Sequence, residues 1–166
     1  SANNIKSHYM KIKLTNNSTR FVDSDGTLRQ GAAATPANAA AAVANLTSGG
    51  TLKLTDNPTA QQILDIRDAL YNTYKNYSDA NMPSIVIDLS DTTITSIPEN
   101  AFWPAIDSGS QCEAISSVKL PTTVTSIGKN AFAYCSNMTS ITGYTQVTSL
   151  GDGAFEFCSS LTSFTI

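Results

Sequence analysis

Two nearly identical segments follow one another near the end of this chain. The first, KNAFAYCSNMTSI, occupies residues 129–141, and the second, DGAFEFCSSLTSF, occupies residues 152–164, which gives a 23-residue period. A looser copy, LSDTTITSIPENAF, lies at residues 89–102, with seven extra residues between its Phe102 and Cys112. Self-similarity at a fixed period of roughly 20 to 50 residues is the sequence signature of stacked repeats. The second half of the chain is therefore predicted to form a solenoid of 23-residue coils.

The apolar residues of each coil recur at matching positions. One coil of this length cannot bury its own apolar face, whereas stacked coils share a continuous core. The repeat strands are predicted at residues 118–120, 141–143 and 164–166, and a positive φ is predicted for Gly128 and Gly151, which follow inward positions. The predicted repeat core consists of Val118, Leu120, Val124, Ile127, Phe132, Cys135, Ile141, Val147, Leu150, Phe155, Cys158 and Leu161.

The repeat carries a specific pattern. Residues 120–141 read L-P-x-x-V-T-S-I-G-x-N-A-F-x-x-C-x-x-M-T-S-I, which resembles the BspA-like subclass of leucine-rich repeat. The resemblance covers residues 84–166, about half of the chain. It implies an extracellular or surface-anchored bacterial protein that adheres to host or neighbouring-cell proteins. A lipid anchor on a removed N-terminal segment is one means of attachment that the resemblance implies. The family offers no catalytic residue and no cofactor to carry over.

The first half has a helical pattern instead of a repeat. The segment TPANAAAAVANLTSGG predicts a helix with Thr35 as its N-cap and the pair Gly49-Gly50 as its stop. The segment NPTAQQILDIRDALYNTYKNY predicts a second helix, capped by Asn57 or Thr59. Its apolar stripe has the three- and four-residue spacing of a buried helix face and consists of Ile63, Ile66, Leu70 and Tyr74.

The other apolar stretches of the first half are predicted to be strands. TLKLT (residues 51–55) is predicted to pair in parallel with IVIDL (residues 85–89) through a right-handed crossover, and the repeat strands are predicted to continue the same sheet. Residues 51–83 would then cap the open end of the solenoid, preceded by residues 1–50, which include a hairpin with an Asp-Gly turn. The predicted fold is α/β: a right-handed leucine-rich-repeat solenoid over residues 84–166 with an N-terminal β-α-β cap.

Charge is divided unevenly along the chain. Residues 84–166 hold two basic and seven acidic side chains, net −5, whereas residues 1–83 hold eight basic and six acidic side chains, net +2. An acidic repeat region repels phosphate backbones, so nucleic acid is not expected as a partner. No apolar stretch approaches the roughly 18 residues that a membrane-spanning helix needs, so no transmembrane segment is predicted. The predicted partners are extracellular or cell-surface proteins, and the chain is predicted to be a monomer with weak end-to-end association.

Three cysteines recur with the repeat. Cys112, Cys135 and Cys158 follow the 23-residue period and would form a ladder along the stack. Buried free thiols that pack as small hydrophobes are the favoured interpretation. A disulfide between neighbours, about 4.8 Å apart, would be strained by their parallel side chains. Zinc would lack a fourth ligand. No metal site is therefore predicted.

Two features of the first half suggest chemistry but are incomplete. His8 is the only histidine, and no nucleophile motif accompanies it, so no catalytic residue is predicted and the chain is not expected to be an enzyme. The sequence DSDG at residues 23–26 resembles the start of a calcium loop but lacks the later ligands, which favours a turn.

The insertion WPAIDSGSQ is the predicted recognition element. Insertions in a solenoid form loops, and tryptophan is enriched at binding hot spots, so Trp103, Ile106 and Asp107 are candidate binding residues. The other interpretation, which is the favoured one, is that Trp103 and Ile106 fold back over the junction between cap and repeats. Tyr134 and Phe157 occupy equivalent positions one repeat apart. They form either an outer aromatic stripe, as further candidate binding residues, or part of the core.

Two functions fit these features. The first is a non-catalytic, cell-surface or secreted protein-binding module whose solenoid face contacts a host or neighbouring-cell protein. The alternative is a structural spacer or assembly domain of a larger surface protein, without a ligand of its own. The resemblance and the lack of a catalytic motif favour the binding module.

Overall fold

The computed structural model describes residues 11–13, 19–105 and 111–164. Within these ranges the chain forms a seven-stranded mixed sheet, a three-stranded parallel sheet and two α-helices, α1 (Pro36–Val43) and α2 (Ala60–Tyr74), and a short 3-10 helix (Asp79–Asn81) follows α2. The strands of the large sheet, in spatial order, are β1 (Lys11–Lys13), β2 (Thr19–Val22), β3 (Leu28–Ala34), β4 (Gly50–Leu54), β5 (Ile85–Asp88), β7 (Ile115–Lys119) and β9 (Ser140–Thr142). The strands of the small sheet are β10 (Ser149–Leu150), β8 (Ser126–Ile127) and β6 (Ser96–Ile97).

The large sheet begins with antiparallel strands and continues with parallel ones. β2 and β3 form the predicted hairpin, and in its turn the Gly26 amide donates to the Asp23 carbonyl oxygen at 2.9 Å. β3, β4 and β5 then pair in parallel, with Lys53 of β4 opposite Asp88 of β5. The predicted parallel pairing of TLKLT with IVIDL is therefore confirmed, and β3 extends the same sheet on the other side of β4.

Helix α1 ends earlier than predicted. Its last residue is Val43, so Gly49 and Gly50 do not stop the helix; Gly49 directly precedes β4 and Gly50 is its first residue, with φ of 78° and 118°. A Cβ atom on Gly49 would lie 2.7 Å from the carbonyl oxygen of Ser84. These glycines are therefore required by the close passage of the strand backbones and not by a helix end.

Helix α2 has the predicted start and the predicted buried face. Thr59 is its N-cap: the Gln62 amide donates to the Thr59 hydroxyl at 3.2 Å, and the Thr59 amide donates to the Gln62 side chain at 2.9 Å. This reciprocal capping box satisfies two backbone donors that the first turn would otherwise leave without partners. At the other end of α2 the Tyr74 hydroxyl donates to the Val43 carbonyl oxygen at 2.7 Å, which joins α2 to α1. The buried residues of α2 are Ile63, Ile66, Leu70 and Tyr74.

Three consecutive coils each place one strand in each sheet. Val118 pairs with Ile141 and Ile127 pairs with Leu150, one repeat period later in both cases. Ile97 pairs with Ile127 across a longer interval, because the first coil carries the seven additional residues. Of the strand predicted at 164–166, residue 164 lies in no strand and the other two lie outside the described residues.

Gly128 and Gly151 occupy tight contacts between coils. Neither has a positive φ, so the predicted reason for these glycines is wrong. A Cβ atom on Gly128 would lie 2.6 Å from the Glu99 amide nitrogen, and one on Gly151 would overlap the Lys129 amide nitrogen. Any side chain at these positions would force neighbouring coils apart, so the absence of a Cβ atom permits the stacking distance.

One hydrophobic core extends from the helices into the coils. Phe155, Cys158 and Leu161 are only partly buried and pack against it. Leu150, predicted as a core residue, is 38% exposed, because β10 pairs only with β8 among the described strands and forms the outer edge of the small sheet. The other predicted core positions are buried: Val118, Leu120, Val124, Ile127, Phe132, Cys135, Ile141 and Val147.

Candidate functional site

Two lines of aromatic rings cross the coils side by side. The inner ladder consists of Phe102, Phe132 and Phe155, whose ring centroids are 5.4 and 5.3 Å apart and whose planes are nearly parallel. Phe102 and Phe132 are completely buried, and Phe155 packs against them from the last of these coils. The inner ladder is therefore part of the hydrophobic core.

The outer ladder consists of Trp103, Tyr134 and Phe157. The ring centroids of Trp103 and Tyr134 are 5.7 Å apart, and those of Tyr134 and Phe157 are 4.6 Å apart. Trp103 and Tyr134 are half-buried, whereas Phe157 is 59% exposed. None of the three belongs to the core cluster. Of the two placements considered for Tyr134 and Phe157, the structure has the outer stripe.

The repeat alignment does not predict the position of Trp103 in the outer ladder. Counting from the phenylalanines of the inner ladder, Trp103 aligns with Ala133 of the next coil, yet its ring stacks on Tyr134. Its residue type indicated a binding role, but its position beside Tyr134 was missed, because the insertion changes the path of the chain at this point. Ile106 and Asp107 lie outside the described residues, and their binding role stays a prediction.

Two residues of the outer ladder have an unfavourable backbone conformation. Tyr134 has a φ of 58° and Phe157 a φ of 56°, in the left-handed region. A side chain with a Cβ atom occupies this region at a cost of about 1–2 kcal/mol, and Gly or Asn tolerates it best. The same coils use the tolerant residues at other left-handed positions, Asn130 and Gly153. Aromatic side chains are thus held at two positions where Gly or Asn would be less strained, which is a property of functional sites.

A cleft lies beside the coil that carries Tyr134, where α2 meets the segment before β7, and its lining does not include the side chains of the outer ladder. Its volume is about 150 Å³. Cys112 and Glu113 on its repeat side are hydrogen-bonded to the coil that carries Tyr134: the Cys112 amide donates to the Tyr134 carbonyl oxygen at 3.2 Å, and Asn137 Nδ2 donates to the Glu113 carbonyl oxygen at 3.0 Å. The sequence gives no periodic signal for this cleft, because α2 forms one wall and the segment before β7 forms another. Its lining includes Leu70, Tyr71, Lys75, Met82, Cys112 and Glu113.

The three cysteines are free thiols. Contact with the Cys112 thiol, together with burial, raises the pKa of Cys135 well above its ordinary value. Burial raises the pKa of Cys158 to about 11, and its Sγ donates to the Phe132 carbonyl oxygen at 3.0 Å. The Cys135 and Cys158 thiols are therefore protonated at neutral pH, which makes them weak nucleophiles and suits a packing role.

An ion-pair cluster centred on Lys53 lies on the large sheet. Lys53 Nζ is 2.7 Å from Asp23 Oδ1 and 3.1 Å from Asp91 Oδ2, and Arg29 Nε is 2.6 Å from Asp23 Oδ2. Burial alone would raise the pKa of Asp23, but the hydrogen bonds from Lys53 and Arg29 outweigh it and lower the pKa to about 2. The DSDG sequence is thus a hairpin turn whose first carboxylate binds two cationic side chains. In the described ranges no group of three or more His, Cys, Asp or Glu residues is arranged to hold a metal ion.

A comparison with protein families identifies the repeat. A family model described as a BspA type leucine-rich repeat region, in 6 copies, matches residues 71–166. The chain belongs to the BspA-type leucine-rich repeat family. The match covers more than half of the chain and begins inside α2, upstream of Ser84, where the sequence pattern placed the first BspA-type repeat. The chain matches none of the curated proteins.

A repeat family of this type indicates a protein-interaction module. The exposed sides of the BspA-type coils are therefore the surfaces on which a binding site is expected, and the outer ladder is one apolar feature that they display. None of the helices in the described part of the chain is long and apolar enough to cross a membrane.

Proposed function

We propose that this BspA-type repeat protein is a non-catalytic protein-binding module and that the outer ladder is the centre of its binding surface. The observation that carries the proposal is Phe157, whose side chain is 59% exposed on a left-handed backbone. Burial does not account for an aromatic ring at a position where Gly or Asn would cost less. Exposed apolar clusters and aromatic residues are typical of protein interfaces, so partner binding explains this choice of residue.

The partner in this proposal is a protein outside the cell. Repeats of the BspA type are usually found in surface or secreted bacterial proteins, which supports an extracellular or cell-surface location. Adhesion to host or neighbouring-cell proteins is the proposed role, with a lipid anchor on a removed N-terminal segment as one means of attachment. The binding form is a monomer, and its association with further copies is weak.

We also propose that the binding module is a right-handed solenoid of 23-residue coils and that residues 51–83 form its N-terminal cap. Two contacts between this segment and the first coil support the cap. Arg67 Nη1 donates to the Asn100 carbonyl oxygen at 3.1 Å, and Asn57 and Thr93 exchange hydrogen bonds of 2.8 and 2.7 Å. A cap of this kind covers the apolar end that a first coil would expose. The domain boundaries after residues 50 and 83 stay predictions, and the large sheet continues across both.

The test is a binding screen of the whole chain against immobilised extracellular-matrix and mucin proteins at physiological salt. The variant is Phe157→Asn, because Asn tolerates the left-handed backbone while removing the ring. The matched control is Leu28→Asn, which removes another exposed apolar side chain, 49% exposed, from the hairpin. We expect Phe157→Asn to weaken binding at least about tenfold, as the loss of an interface anchor does, and Leu28→Asn to leave it unchanged, with circular dichroism equal in all three proteins.

Two results would contradict the proposal in different ways. Equal binding by the wild type and both variants would remove the outer ladder from the binding surface. A folded, monomeric chain that binds none of the proteins would favour the alternative function, a structural spacer or assembly domain of a larger surface protein. Trp103→Ala is the second ladder variant and should weaken binding in parallel with Phe157→Asn.

A further inference from the structure

We infer that the outer ladder and the cleft beside the coil of Tyr134 bind an extended, positively charged segment of polypeptide. The inference rests on the proposed function and specifies the chemistry of the partner. In this arrangement the bound segment crosses the coils along the ladder. One of its uncharged side chains enters the cleft, and its Lys or Arg side chains lie along the aromatic rings.

Charge around the ladder favours a cationic partner. Glu156 directly precedes Phe157, and Glu113 lines the cleft. Neither carboxylate makes an ion pair within the residues that the structure describes. Of the two lysines in the repeat half, Lys119 already lies 3.6 Å from the Asp88 carboxylate. Close to the ladder, an approaching acidic segment would meet the like charge of Glu156, whereas a basic segment would meet a carboxylate that makes no ion pair within the described residues.

The rings offer a second attraction that basic side chains can use. Lys and Arg lay their methylene stems along apolar surface while the charged head reaches polar groups beyond it. A cation over an aromatic face is also attracted by the ring quadrupole, and the exposed ring of Phe157 is available for this contact. A purely apolar partner would instead remove the neighbouring Glu156 from water without pairing it, which is unfavourable.

The cleft is suited to one uncharged side chain. Its volume of about 150 Å³ is that of a cavity able to hold a benzene-sized group. Leu70 and Met82 provide apolar lining, while Lys75 Nζ lies 5.4 Å from the centroid of the Tyr71 ring and would repel a second cation. Cys112, which lines the cleft, is hydrogen-bonded to the backbone of Tyr134. The partner residue that enters the cleft and the basic residues along the ladder are therefore expected to be close together in the partner's sequence.

The probe for this inference is a library of random twelve-residue peptides displayed on phage and selected against the intact chain at low ionic strength. We expect the selected peptides to be more basic than the starting library and to carry an apolar residue within a few positions of the basic ones. The best peptide is then synthesised together with a copy in which each Lys or Arg is replaced by Glu. Emission from Trp103, the only tryptophan, reports occupation of the ladder.

Variants of the chain separate a specific site from general attraction to an acidic protein. Phe157→Asn should weaken peptide binding about tenfold, and Glu156→Gln severalfold, because one removes the ring and the other its neighbouring carboxylate. Asp25→Asn is the matched control, since it removes one carboxylate from the remote hairpin turn. This control should bind like the wild type. Raising the salt from about 0.05 to 0.5 M should weaken binding severalfold by screening.

Each other outcome overturns the inference. Selected peptides that are neutral or acidic, a charge-reversed copy that binds equally well, or a selection that enriches nothing would all exclude a basic segment as the partner. Equal loss of binding in Glu156→Gln and Asp25→Asn would indicate attraction to net charge and no defined site. If matrix proteins nevertheless bind in a manner that depends on Phe157, the proposed function stands and only the partner chemistry fails.

Discussion

The inner and outer ladders both consist of stacked aromatic side chains, but they differ in burial and in backbone conformation. Both cross the same coils, with neighbouring ring centroids between 4.6 and 5.7 Å apart, as is usual for aromatic pairs. The inner ladder is buried or packed on the core, and none of its residues has a positive φ. The outer ladder ends in Phe157, a residue that is 59% exposed, and Tyr134 and Phe157 have a left-handed backbone.

This difference indicates that the inner ladder contributes to the stability of the fold and that the outer ladder is a candidate for function. Aromatic rings contribute to stability when they leave water, so the inner ladder stabilises the stack of coils. An exposed ring on a left-handed backbone contributes little from burial and carries a conformational cost. Residues held at such a cost are candidates for function, because selection for stability alone would favour Gly or Asn there.

The largest effect is expected from the inner ladder. Phe132→Ala should lower the free energy of unfolding by about 3–5 kcal/mol, because it removes a completely buried ring and leaves a cavity between two others. The measurement is equilibrium unfolding in urea. Tyr134→Asn, in the outer ladder of the same coil, should cost about 1 kcal/mol, since lost stacking is offset by relief of the left-handed backbone. Similar losses in the two variants would contradict the distinction between the ladders.

A loss of stability far from both ladders should leave binding intact. Asp23→Asn removes the carboxylate that lies 2.7 Å from the buried Lys53 ammonium and should cost about 1.5–3 kcal/mol, the scale of a hydrogen bond to a charged group, because Lys53 keeps Asp91 as a partner. Peptide and matrix-protein binding, measured where the variant is fully folded, should equal that of the wild type. Weakened binding in this variant would show that the ladder variants act through stability.

The same carboxylate predicts how the wild-type stability depends on pH. The folded pKa of Asp23 is about 2, below the ordinary 3.8, so its stabilising contribution is present above pH 3.8 and is lost as the pH falls toward 2. That contribution is about 2 kcal/mol. Urea midpoints measured between pH 5 and pH 2 should fall less steeply for Asp23→Asn than for the wild type. Parallel curves would mean that Asp23 is not held as an ion pair in the folded state.

An intermediate effect is expected where the coils touch. Gly128→Ala should cost about 1–3 kcal/mol, because the added Cβ meets the Glu99 amide nitrogen and the backbone of Pro98 and cannot be relieved by moving a side chain. The control is Lys129→Ala, a change at the exposed residue next to Gly128, which should alter the free energy of unfolding by less than about 0.5 kcal/mol. A tolerated Gly128→Ala would mean that the coils can separate, and both ladders would then be less rigid than their spacing indicates.

The smallest effect on stability belongs to the residue with the largest expected effect on binding. Phe157→Asn should change the free energy of unfolding by less than about 0.5 kcal/mol in either direction, because the ring is mostly exposed and the loss of its stacking on Tyr134 is offset by relief of the left-handed backbone. Thermal unfolding followed by circular dichroism measures this. A loss of about 2 kcal/mol or more, on the scale of a buried side chain, would make Phe157 a structural residue and unite the two ladders in one role.

The sequence predicted those parts of the molecule that depend on local repetition. The pairing of β5, β7 and β9 and the buried face of α2 follow from spacing, because residues at matching positions must meet when equal coils stack. The second, three-stranded sheet was not predicted. The stripe formed by Tyr134 and Phe157 was one of two placements that the spacing allowed. The stacking of Trp103 and the cleft were beyond prediction, since both depend on how the insertion and α2 pack against the coils.

Gly128 shows a second limit. Glycine serves either a positive φ or a close backbone approach, and a sequence does not distinguish the two uses. The prediction chose the first, whereas the neighbouring coil requires the second. Leu150 shows a third, because apolar periodicity identifies the face of a strand but not whether another element covers it.

The continuous large sheet has a mechanical consequence for a chain that is pulled across its strands. In the stacked region, neighbouring coils are joined by interstrand hydrogen bonds, so tension along the stack loads these bonds along their own direction. Coils would then separate one at a time, and an interval such as that between Val118 and Ile141 would release roughly 75 Å of extended chain. The repeat region would lengthen in steps under load, which would let a partner of the proposed kind stay bound while the connection to it stretches.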